Sequence, residues 1–87
     1  MFDKTKKLLL STGFFEDNSF LDTYVSLIKD KSYQSPIVGK TQLHHILPRS
    51  YYKIINAKVD NSLENMVNLL YVDHIYAHYL LALCTTR

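Results

Sequence analysis

The chain has a single cysteine, Cys84, which excludes an intrachain disulfide. Two glycines, two prolines and no tryptophan leave few chain breakers, and no apolar run approaches the roughly 20 residues of a membrane span. Leu8, Leu9 and Leu10 fall well short of the apolar core of an export signal. One thiol and no such signal point to the cytoplasm and away from a membrane. What is present, 47% hydrophobic and 21% charged residues in 87, is the composition of one small folded domain spanning residues 1–87. A core of that size barely offsets the chain entropy, so such domains often add a disulfide, a metal or a partner subunit. With the disulfide excluded, the four histidines, all between residues 44 and 78, become the candidate staple.

Acidic residues are also missing from one region. The net charge is only +2, too small to mark a nucleic-acid binder by itself, and residues 1–39 balance five lysines against five acids. From Lys31 to Val59, however, stand Lys31, Lys40, Arg49, Lys53 and Lys58 with no acid among them. Charges this sparse make a solvated loop unless neighbouring residues give them a task.

Periodicity predicts helices through residues 1–39. Asp3 can cap the first, which Gly13 would end, and Asn18 or Ser19 can cap a second. Its Phe20, Leu21, Tyr24, Val25, Leu27 and Ile28 recur at helical spacing and read as core without chemistry. Ser35, Pro36 and Gly39 break the pattern. Thr41 to Leu47 reads as a short strand closed by Pro48, Tyr51 to Ile55 as a helical turn or a loop wall, and Met66 to Leu70 as a second strand. A helix from about Val72 completes an α+β order.

His74 and His78 are one turn apart on that last helix, a spacing that lets two imidazoles reach one ion. Alone the pair is weak evidence, but the helix is otherwise apolar nearly all round, and unpaired polar rings there need partners. His44 and His45 are adjacent, and adjacency on a strand sends them to opposite faces. One of the two can complete a three-histidine site with coordination positions left open, while the other stands close by as a general base.

Three strings of the sequence now combine. Leu43-His44-His45-Ile46-Leu47-Pro48-Arg49-Ser50, then Asn65-Met66-Val67-Asn68-Leu69, then Asp73 to Leu81 resemble the HNH endonucleases of the ββα-metal class over residues 41–83. The resemblance implies a two-stranded antiparallel ribbon packed on a C-terminal helix, preceded here by a helical part, residues 1–39. It assigns His44, His74 and His78 to the metal, His45 to the general base, and Asn65 to bracing the loop that orients the base. The activity it implies is hydrolysis of DNA phosphodiester bonds with one divalent ion, of which Zn²⁺, Ni²⁺, Mg²⁺ and Mn²⁺ are the candidates. Lys40, Arg49, Lys53 and Lys58 then become candidate contacts to phosphate.

The sequence departs from the family where many members have a Gly-Gly turn after the proline; here Ser50, Tyr51 and Tyr52 follow. Tyr51, Tyr52, Ile54 and Ile55 are expected either to pack beneath the metal or to stack on nucleic acid. Asn61 reads as a turn former and Asn68 as a solvent-facing strand residue. A second reading keeps the fold and the ion but not the catalysis, as an inhibitor or a regulatory DNA-binding module. An apolar last helix so close to the C-terminus suggests either a homodimer or a further C-terminal domain.

Overall fold

The computed structural model describes residues 2–86, in the order α1 (Phe2–Ser11), α2 (Ser19–Lys31), β1 (Thr41–His45), α3 (Arg49–Ile54), a 3₁₀ turn (Leu63–Asn65), β2 (Met66–Leu70) and α4 (Tyr71–Leu83). β1 and β2 form an antiparallel ribbon that packs against α4, the α+β arrangement expected for residues 41–83.

The helix boundaries follow local chemistry. α1 includes Asp3 in its range, and the capping expected of that side chain lies outside what is described. Beyond its end, Gly13 adopts φ +76° and its N–H bonds the Leu10 carbonyl, the left-handed closure that glycine makes easily. Asn18 caps α2, its side chain accepting from the N–H groups of Phe20 and Leu21. Lys6 of α1 reaches Asp17 and Asp22, a surface link between the first two helices.

The core draws Leu9 from α1, Leu21, Tyr24, Leu27 and Ile28 from α2, Val67 and Leu69 from β2, and Ala77, Leu80 and Leu81 from α4. Tyr51 and Tyr52 of α3 are buried with their rings edge to face, so they pack and do not offer stacking surfaces. Ile54 is partly buried, whereas Ile55 is exposed. On the outer face of α4, Tyr71, Val72, Ile75, Tyr76 and Tyr79 are exposed. No helix among the described residues is long and apolar enough to cross a membrane.

The ribbon register sets the site. His44 stands opposite Val67 and Gln42 opposite Leu69, and residues two apart share a face, so Gln42, His44, Val67 and Leu69 all point one way. Leu43, His45, Met66 and Asn68 point the other way. Asn68 was expected to face solvent, but it is buried: its amide donates to the Tyr33 carbonyl, and its carbonyl accepts from the Tyr33 N–H. The outer edge of β2 is thereby occupied by the segment that follows α2.

Candidate metal centre

The rings of His44, His74 and His78 form a nearly equilateral triangle with centroid separations of 5.2, 5.2 and 4.8 Å. One ligand atom from each lies within 4.8 Å of the others, so the three could hold a metal ion. Strand β1 supplies the buried member. Helix α4 supplies a half-buried and an exposed one, which leaves the cluster open on one side.

Hydrogen bonding fixes which atom of His44 is offered. The Tyr24 hydroxyl lies 2.6 Å from the Ile46 carbonyl and 2.8 Å from His44 Nε2. Burial pushes the Tyr24 phenol far above its ordinary range, so the hydroxyl keeps its proton. A carbonyl can only accept, which commits that proton to Ile46. His44 Nε2 must therefore donate to the Tyr24 oxygen, and Nδ1 is left as a bare lone pair. That Nδ1 is buried with no hydrogen-bond partner among the described residues. Left alone, such an atom costs about 1–3 kcal/mol; a cation is a partner that suits it.

Gln42 settles His74 in the same way. Its Oε1 accepts from Nδ1 at 2.7 Å and turns the Nε2 lone pair toward His78, whose own Nε2 is 3.1 Å away. Two imidazoles on one tetrahedral zinc, with bonds near 2.0–2.1 Å, hold their nitrogens about 3.3 Å apart. The helical pair already has that spacing. Residues and geometry thus fit a divalent ion of borderline softness.

Burial, followed by the neighbouring His78, His74 and His45, lowers the pKa of His44 to about 3. His74 is also lowered, by burial and then by His78. Both stay neutral near pH 7, as ligands must. The metal-free chain should consequently lose stability on acidification. Unfolded, His44 takes its proton near 6.5, but folded only near 3, so its contribution is complete above about 6.5 and is lost as the pH falls toward 3. The slope is at most about 1.4 kcal/mol per pH unit. Urea denaturation of the chelated protein at pH 7, 6 and 5 checks this, and a midpoint that stays constant contradicts it.

His45, on the opposite face of β1, nevertheless lines the same open cavity of about 440 Å³ as His74, His78, Arg49, Ser50, Pro48 and Leu43. Of the four candidate phosphate contacts, the structure brings only Arg49 to this cavity; Lys40, Lys53 and Lys58 are exposed elsewhere. Asn65 is fully buried and its side chain ties Leu47 to Asp60 across the loop. Its Oδ1 accepts from the Leu47 N–H, and its Nδ2 donates to the carbonyls of Leu47 and Asp60. Among the described residues it makes no hydrogen bond to the His45 ring. Asn61 does, with Oδ1 2.7 Å from Nε2.

Three contributors were therefore missed in the sequence: Tyr24, Gln42 and Asn61. Gln42 carried a usable signal, because it lies two residues before His44 on the same strand face. No protein-family model, curated protein or solved structure matches this chain.

Proposed function

We propose that the chain is a metal-dependent endonuclease of the HNH type, hydrolysing DNA phosphodiester bonds in the cytoplasm with one divalent ion. The reading rests on a single cavity lined by two members of the histidine triangle, a spare imidazole and an arginine. A purely structural ion has no use for His45.

His44, His74 and His78 would hold the ion, and three neutral imidazoles favour Zn²⁺ or Ni²⁺ over the hard, oxygen-seeking Mg²⁺. When bound, it would supply positive charge against the negative charge that grows on the phosphoryl and leaving oxygens. Arg49, which lines the same cavity, would hold a phosphate of the same strand by charge-assisted hydrogen bonds. His45 takes a proton from water as its oxygen bonds to phosphorus. The bond to the leaving 3′ oxygen breaks, and that oxygen takes a proton from solvent. Lys40, Lys53 and Lys58 would meet phosphates further along the duplex.

Supercoiled plasmid tests the proposal. The protein should not nick it in excess EDTA, and Ni²⁺, Zn²⁺, Mn²⁺ or Mg²⁺ added to stripped protein should produce open circles. If none of the four ions does so although Zn²⁺ binds, the chain is a catalytically silent binding module.

A further inference from the structure

The bond between Asn61 and His45 lies outside the metal triangle. An amide oxygen only accepts, so His45 Nε2 carries the hydrogen and donates it to Asn61 Oδ1 at 2.7 Å. Nδ1 is then the nitrogen with a lone pair, the atom able to take a proton. Among the described residues the His45 ring makes no other hydrogen bond. The Asp60 carboxylate also acts on this partly exposed ring through its charge, but among the described residues the bond to Asn61 is the one directional contact that selects a nitrogen.

Asn61 is itself held in place. It lies in a turn where Asp60 Oδ1 accepts from the Ser62 N–H at 2.8 Å. The Ser62 carbonyl accepts from the Asn65 N–H at 3.0 Å, and the Asp60 carbonyl from Asn65 Nδ2 at 2.8 Å. The same Asn65 amide grips Leu47, two residues beyond His45. One buried side chain therefore fixes the chain on both sides of the His45–Asn61 pair.

We infer that Asn61 is a positioning residue that orients the His45 imidazole with Nδ1 free for proton transfer. This rests on the reading of His45 as general base, and the test separates the two. In ¹⁵N-labelled full chain, the His45 Nε2–H proton, assigned by its disappearance in His45→Ala, should be visible in water. Asn61→Ala should lose it to solvent exchange, and Asn61→Asp, which keeps an acceptor, should retain it. In plasmid nicking, Asn61→Ala should lower kcat roughly 10- to 100-fold with KM and Zn²⁺ affinity unchanged. Asn61→Asp should recover most of that loss. A wild-type proton that is not protected, a resonance that persists in Asn61→Ala, or an unchanged kcat overturns the inference. If wild-type protein does not nick plasmid at all, the endonuclease reading falls, and the proton resonance alone decides whether Asn61 holds the ring.

Discussion

Replacing His44 by alanine should abolish tight Zn²⁺ binding and also destabilise the chain when no metal is present. Three effects combine at this residue. A ligand is lost, and with it the linkage term, which at a metal concentration 100 times Kd is worth about 2.7 kcal/mol. The Tyr24 oxygen loses its donor in a buried setting, at about 1–3 kcal/mol, which removal of the partnerless Nδ1 offsets when no metal is present. A ring that is only 1% exposed leaves a void beside Val67 and α4, and core truncations of this kind cost about 2–5 kcal/mol. His78 is exposed, so His78→Ala should lose the same metal-dependent increment yet stay within about 0.5 kcal/mol of wild type in EDTA. Urea denaturation of both variants with and without Zn²⁺, beside a competition assay for metal affinity, measures the contrast. Equal stability of the two in EDTA would refute the distinct role of His44.

The second large effect falls on turnover. His45→Ala should reduce plasmid nicking by about 10²- to 10⁴-fold, the usual contribution of a positioned general base. Zn²⁺ affinity and the thermal midpoint should barely change, because among the described residues the ring hydrogen-bonds Asn61 alone and takes no part in the triangle. Paired measurement of metal affinity and nicking rate for all four histidine substitutions gives a direct reading. Equal losses of metal affinity in the four would show that the imidazoles are wrongly divided between ligation and proton transfer.

The sequence exposed those features whose geometry is local. His74 and His78 share a face because a helix turns every 3.6 residues, and His44 and His45 separate because a strand alternates every two. The same rule would have reached Gln42. Tyr24 was hidden because its contact joins α2 to β1 across 20 positions, and its helix offered only core periodicity. A buried tyrosine hydroxyl does need a partner, but periodicity does not say which. The asparagines were harder still. Asn61, Asn65 and Asn68 are chemically identical, and their work depends on how the excursion between the strands folds back. Asn65 was identified through resemblance, whereas Asn68 is buried on the edge of β2 and Asn61 reaches the candidate base.

The buried Asn65 amide has a bearing on how such a chain can diverge. By joining Leu47 to Asp60 it closes a ring at the foot of the excursion, so that the tip beyond the core-packed α3 hangs from a fixed neck. At that tip Asn56 turns with φ +56°, and Asn56, Ala57 and Lys58 are all exposed. Length and composition can change there without shifting His45 or the register of the ribbon, since loop closure becomes only slowly more costly as a loop grows. The neck thus separates a part that chemistry constrains from one free to acquire a new preference for the surface it meets.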